Sequence, residues 1–287
     1  MEQAVKKIAQ QAQLGLLYEV SCFPKPGLVD PIDSGSHNDM DYFTFLESSV
    51  VLLPFFEEFI QVGYELKYLP ITETFKKIRK IGVLAENEML HVTQNVNTHK
   101  GVIFSLGIFL TICGRLEVWK NDVSLKQFQM EIKEMTCDLL NDFENLPNDK
   151  SELTFGEKLF VEHGMTGIRG EAQSGYPSVF DYGLTFYDKY QGKNNEQLID
   201  TLMFLSLHVE DTNLIKRSQS ISVFESYREM ANNFLELGGY STESGLNYLN
   251  KLNRLLKEKN WSLGGSADTL ILVVFVSKLV KLGYLKK

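Results

Sequence analysis

Apolar residues recur along most of this chain at intervals of three and four, which predicts helices nearly throughout. Val5, Ile8, Ala9, Ala12 and Leu16 form one stripe over residues 2–18. Tyr42 to Leu66 is strongly apolar and interrupted once, by Pro54, which should kink a helix or mark a junction between two. Thr72 to Val92 reads as an amphipathic helix with Phe75, Ile78, Ala85 and Met89 facing inward. Gly101 to Val118 is apolar nearly all round, the mark of a helix at the centre of a bundle. Ser124 and Gln127 make a capping box for a helix carrying Leu125, Phe128, Ile132, Met135 and Leu139, and Thr154 with Glu157 makes another. The second of these helices should stop at His163-Gly164, where glycine can take a left-handed C-cap. Helical spacing resumes near Val179 and passes the Asn194-Asn195 break into Leu198, Leu202, Leu205 and His208. Helices at about Ser218 to Leu237 and Thr242 to Lys257 follow, then an apolar one ending near Leu282.

No strand alternation, internal repeat or low-complexity tract interrupts this pattern. The expected architecture is all-α: one domain over residues 1–287, a bundle of roughly ten helices with a central cleft lined by loops. ENLPNDKSEL, between Glu144 and Leu153, reads as a plain connecting surface loop.

Five polar stretches, several of them rich in glycine, break the apolar rhythm: Glu19 to Asp41, Asn97 to Gly101, Gly164 to Pro177, His208 to Arg217, and Gly264 to Asp268. The first is the longest, with three prolines, two glycines and a net charge of −4. So long a connection in a compact helical chain is uncommon and is more often functional or disordered. Phe23, Leu28, Val29 and Ile32 argue for order. Asn38 or Asp39 there reads equally well as a plain helix cap. Four of the five histidines, His37, His99, His163 and His208, lie in or beside these stretches. A single histidine at a helix end is usually a cap or a packing residue; four gathered this way weaken that explanation.

Composition narrows the class. With 44% hydrophobic and 23% charged residues in 287, the chain can bury a substantial core. A net charge of −8 and a pI near 5.3 speak against non-specific nucleic-acid or anionic-membrane binding. Cys22, Cys113 and Cys137 are too few and too scattered for a disulfide framework or a thiolate zinc site, so a reduced intracellular setting is expected. The start MEQAVKKIAQQAQ lacks the apolar run of a secretory signal, and Gly101 to Gly114 falls short of the roughly 20 residues that cross a bilayer. The expectation is a soluble cytoplasmic protein.

The motifs PKPGLVD, SGSHNDM, NTHKG, GEKLF, TGIRGEAQSGYP, DTN and GGSAD, in this order across nearly the whole chain, resemble those of the triphosphoribosyl-dephospho-CoA synthase family, CitG. Ser36 stands where that pattern commonly has alanine, and Ser218-Gln219-Ser220 replaces expected glycines after DTN. The resemblance implies a glycosyl transfer in which adenine leaves the ribose of ATP and that ribose joins a ribose hydroxyl of 3'-dephospho-CoA, the triphosphate staying on. The implied product is the prosthetic-group precursor of the citrate lyase acyl carrier protein, or of malonate decarboxylase in a sister branch. A holo-acyl-carrier-protein transferase would take it onward.

Such a transfer passes through an oxocarbenium-like state and needs carboxylates, a base and an acid. The resemblance makes His37, His99, Asp30, Asp39 and Glu171 catalytic candidates. Lys25, Gly27, Lys100, Gly101, Arg169, Gly170, Arg217, Gly264, Gly265 and Ser266 become candidates for substrate and phosphate contact, with Gly167 and Lys216 as further ones. Magnesium bridging phosphates to an acidic chain would be held by Asp41, Glu210 and Asp211. Two other classes compete: a metal-dependent nucleotide hydrolase on a helical fold, and a non-catalytic helical partner of an acyl carrier complex. Apolar excess on several helices is compatible with a homodimer.

Overall fold

The computed structural model describes every residue except Asn145, Asn148, Lys150 and Gln191, so part of the expected connecting loop at 144–153 lies outside the described residues. Thirteen α-helices make up the described chain: α1 Glu2–Ser21, α2 Tyr42–Glu65, α3 Ile71–Val92, α4 Lys100–Arg115, α5 Leu125–Met135, α6 Phe155–His163, α7 Gly167–Gln173, α8 Leu184–Lys189, α9 Asn194–Leu205, α10 Thr212–Ser218, α11 Val223–Glu236, α12 Glu243–Lys259 and α13 Gly264–Lys281. The all-α expectation holds, with one small addition: β1 (Val123–Ser124) pairs in parallel with β2 (Leu285–Lys286).

The two helices that are apolar all round form the centre. Ser105 to Gly114 of α4 and nearly every residue from Ser266 to Leu279 of α13 are buried, and one hydrophobic cluster joins them to α1, α2, α3, α5, α9 and α12. The α2–α4 pairing is the most intimate in the molecule. A Cβ at Gly63 would strike the Thr111 carbonyl, and one at Gly114 would strike the Ile60 carbonyl and the Tyr64 amide. The two backbones therefore touch, which only glycine allows.

Pro54 does not divide α2. The helix runs from Tyr42 to Glu65, and the proline sits on the exposed face beside exposed Val50, whose carbonyl loses its partner to water at little cost. The Thr154 and Glu157 capping box forms as expected, and Gly164 ends α6 at φ 68°. Ser124 caps α5 by accepting from Gln127 N at 3.1 Å.

Two stretches expected to be irregular contain helices. α7 is glycine-rich and has poor intrinsic propensity, yet Gly170 and Ala172 are buried against α5 and Thr136 Oγ1 donates to the Ala172 carbonyl at 2.8 Å. Tertiary packing overrides local preference there. α10 is started by Asp211, whose carboxylate accepts from Asn213 N and Leu214 N, and is held by buried Leu214 and Ile215. Between α7 and α8 the chain makes a π-helical turn, Ser178–Gly183.

The long stretch that opens at Glu19 is ordered, and its first three residues belong to α1. Asp30 organises the turn by accepting from Lys25 N at 3.1 Å, Ile32 N at 2.9 Å and Asp33 N at 2.9 Å. Gly27 N donates to Asn253 Oδ1 at 3.0 Å and Ser36 Oγ to the Trp261 carbonyl at 2.6 Å, which staples the loop to the end of α12. Asn195 clamps Phe23 through both its amide and its carbonyl. The cap of α2 is Asp41, in a reciprocal box with Thr44, rather than Asn38 or Asp39.

Candidate active site

All five polar stretches meet. They line one cavity of about 1010 Å³, at the top of the range of about 300–1,000 Å³ for small-molecule sites. Four helices begin at its wall: Lys100 and Gly101 open α4, Gly167 opens α7, Thr212 opens α10 and Gly264 opens α13. Helix starts present unsatisfied amides and partial positive charge, and α4 and α13 are long enough for that charge to count toward an anion.

The wall divides by burial into a floor and a rim. On the floor, Lys25 Nζ binds Glu19 Oε1 at 2.5 Å, and both side chains are nearly inaccessible. His99, 1% exposed, occupies the N-cap position of α4 without a side-chain capping bond; its Nδ1 lies 2.6 Å from Ser48 Oγ and its Nε2 is buried with no partner among the described residues. Burial, reinforced by Lys25, pulls its pKa down to about 3, so the ring is neutral at ordinary pH. Asp268, one turn into α13 and partly accessible from the cavity, stands at the edge of the floor. Its Oδ2 lies where a Cβ on Gly101 would stand, so only glycine lets the head of α4 come this close. Burial, then Glu19 and Asp211, raise the Asp268 carboxyl well above the usual range. The positive head of α4 opposes this by about 0.3–1 kcal/mol, less than the several kcal/mol that desolvating a carboxylate costs.

The rim is solvated. Lys100 pairs with Glu86 at 2.5 Å but stays exposed, and Lys216, also exposed, lines the same cavity. Arg217 is half-buried and held by Ser36 O at 2.8 Å, Asn260 Oδ1 at 2.8 Å and His37 Nδ1 at 3.0 Å. A guanidinium can only donate, so His37 Nδ1 accepts and its Nε2–H turns to Ser262 Oγ at 3.1 Å. Burial and then Arg217 lower the His37 pKa to about 4. Both ring nitrogens are engaged, and His37 orients Arg217. Asp39, 63% exposed, lies 3.8 Å from that ring, and exposed Glu210 accepts from Gly167 N at 3.3 Å. Between floor and rim, Glu171 offers one oxygen to the cavity while the other accepts from Ser178 N at 2.9 Å and from the Ser178 hydroxyl. Burial raises its pKa, with Ser178 pulling the other way.

Of the residues expected from sequence, His37, His99, Asp39, Glu171, Lys25, Lys100, Gly101, Gly170, Arg217, Gly264, Gly265 and Glu210 line the cavity, as do Gly167 and Lys216. Asp30, Asp41, Asp211, Gly27, Arg169 and Ser266 do not. Asp30 and Gly27 build the first loop, and Asp41 caps α2. Arg169 faces Asp142 at 3.7 Å and the Phe143 ring. The Asp211 carboxylate is saturated: Asn213 N and Leu214 N donate to one oxygen, Ser266 N and the Ser266 hydroxyl to the other. It ties the heads of α10 and α13 together.

That arrangement does not fit the expected metal set. Asp41, Glu210 and Asp211 are not gathered, and among the described residues no group of three His, Cys, Asp or Glu side chains could hold a metal ion. Sequence reasoning passed over Glu19, Asp268, Asn213, Asn260 and Ser262 as site residues, all of which line the cavity. Asp268 lies within GGSAD, whose glycines carry the stronger sequence signal, and Asn260 and Ser262 carry no motif.

The CitG family, described as ATP:dephospho-CoA triphosphoribosyl transferase, matches residues 5–287. Among known proteins the chain is similar to Protein CitXG of Leuconostoc mesenteroides subsp. cremoris, 39% identical over 277 residues, 96% of this chain and 59% of that protein. It is also similar to the probable 2-(5''-triphosphoribosyl)-3'-dephosphocoenzyme-A synthase of Lactiplantibacillus plantarum, 41% identical over 273 residues, 94% of this chain and 96% of that one. The protein of the same name in Streptococcus mutans serotype c is 35% identical over 298 residues, covering 98% and 99%. No solved structure matches the chain, and no described helix is long and apolar enough to cross a membrane.

Proposed function

Because this chain belongs to the CitG family of ATP:dephospho-CoA triphosphoribosyl transferases, we propose that it moves the triphosphoribosyl group of ATP onto a ribose hydroxyl of 3'-dephospho-CoA and releases adenine. The product is the precursor of the citrate lyase prosthetic group, passed on to a transferase that loads the acyl carrier protein. The setting is cytoplasmic, where three free thiols stay reduced. One observation supports this above the others: five distant segments surround a single cavity in which a solvated cationic rim overlies a buried acidic floor.

Two phosphate chains must be held and one proton moved. Lys100, Lys216 and Arg217, with the heads of α4 and α13, supply positive charge for the phosphates. The Lys100–Glu86 pair is exposed and worth only about 0.2–1 kcal/mol, so a phosphate displaces it readily. Glu171, its second oxygen free toward the cavity, takes the proton of the attacking hydroxyl. His99 Nε2 offers a neutral hydrogen-bonding contact. Magnesium accompanies the triphosphate as its counter-ion and needs no cage of side chains for that.

Adenine release from ATP should depend on added 3'-dephospho-CoA, and mass spectrometry should show a product equal to both substrates less adenine. Phosphate release without the acceptor would instead make the chain a hydrolase.

A further inference from the structure

Three carboxyl groups interact at the cavity wall, Glu19 and Asp268 lining it and Asp211 just behind, and their surroundings separate them. Burial raises the Asp211 pKa, but Asp211 also accepts four hydrogen bonds, from two amides of α10 and from the amide and hydroxyl of Ser266, which pull it back toward the carboxylate. Glu19 is ion-paired with Lys25 at 2.5 Å. Asp268 lies in the field of both, and among the described residues no hydrogen bond reaches either of its oxygens. Among the described residues the floor's one cation, Lys25, is already committed to Glu19. Of the three, Asp268 is the group that keeps its proton, and the cavity is the direction in which it can be donated.

Given the transferase reading above, we propose that Asp268 is the general acid of the transfer, giving its carboxyl proton to a ring nitrogen of the departing adenine. As the acceptor oxygen bonds to the ribose carbon, the bond from that carbon to the purine nitrogen breaks and its electron pair goes to the purine. Asp268 supplies the proton that makes the leaving group neutral adenine, and Glu171 receives the hydroxyl proton. The two carboxyls exchange states in each turnover and reset through water, so protons balance. The charged or titratable groups around Asp268 are Glu19 of α1, Lys25 of the first loop, His99 at the head of α4, Tyr176 before the π-helical turn, and Asp211 at the head of α10. Tyr176 feels both Asp268 and Glu171.

The test compares wild type with Asp268→Asn on two nucleotides, ATP and ATP methylated at purine N7, whose base departs without needing a proton. With ATP the variant should lose about 10²–10⁴-fold in kcat, with KM for ATP within about threefold. The wild-type kcat on ATP should fall as pH rises through the Asp268 ionisation, and the variant should lose that alkaline limb. On the methylated nucleotide the two proteins should differ by less than tenfold. Equal losses on both nucleotides, or an alkaline limb that survives in the variant, overturn the assignment. If the methylated nucleotide is not turned over, the limb alone decides. If Asp268→Asn does not fold, a wild-type kcat on ATP that stays flat across the alkaline range overturns it without a variant. Wild type that releases no adenine sinks the transferase reading as well, whereas turnover with an indifferent Asp268 sinks this proposal alone.

Discussion

The floor and the rim of the cavity are built from the same residue types and behave oppositely. On the floor Lys25 is spent on Glu19 and His99 stays neutral, while Lys100 and Asp39 on the rim remain in water. A charge already in water gives little to stability and much to ligand capture. A charge taken out of water must be paired or neutralised, and it then governs where protons reside. Position in the wall therefore separates proton chemistry from anion binding.

The sharpest way to break this contrast is Lys25→Ala. It leaves Glu19 buried and alone, and should cost about 3–5 kcal/mol in a denaturant unfolding experiment. Replacing both partners, Glu19→Leu with Lys25→Met, should recover most of that loss. A single variant no worse than a surface substitution would mean that the floor is wet.

His99 tests the same boundary through pH. Its folded pKa of about 3 lies below the ordinary 6.5, so between those values the unfolded chain binds a proton that the native chain refuses. The stabilisation is complete above pH 6.5 and is lost as pH falls toward 3, on the order of 3 kcal/mol by pH 4. His99→Gln should therefore lose less stability than wild type between pH 7 and pH 4. Equal acid sensitivity in the two proteins would place its source elsewhere.

On the rim, Lys100→Ala should leave stability within about 0.5 kcal/mol of wild type and weaken ATP binding by about 10–100-fold, the value of one charge-assisted contact. An unchanged dissociation constant for ATP would move the phosphates away from the head of α4.

The apolar stripes revealed most helices in advance, because a helix that buries one face must repeat that face in its sequence. α7 and α10 escaped because their formation depends on what Gly170, Ala172, Leu214 and Ile215 press against, not on local preference. The convergence of five polar stretches could be read beforehand, since each interrupts a helix that otherwise packs in the core. The assignment of individual carboxylates could not. Asp41, Asp30 and Asp211 precede turns or helices, and a carboxylate that caps a helix has the same sequence surroundings as one that binds a ligand. Asp268 was hidden for the converse reason: one turn inside a helix, it resembles an ordinary surface acid until α4 is folded against it.

The bare backbone contact between α2 and α4 reaches further than its position suggests. Gly114 stands fifteen residues along α4 from His99, about 22 Å at the helical rise, yet both ride one stiff rod. A single methyl at position 114 would prise that rod from its bed and swing its far tip, His99 and Gly101 included. Selection for catalysis can thus act on a residue no substrate ever meets.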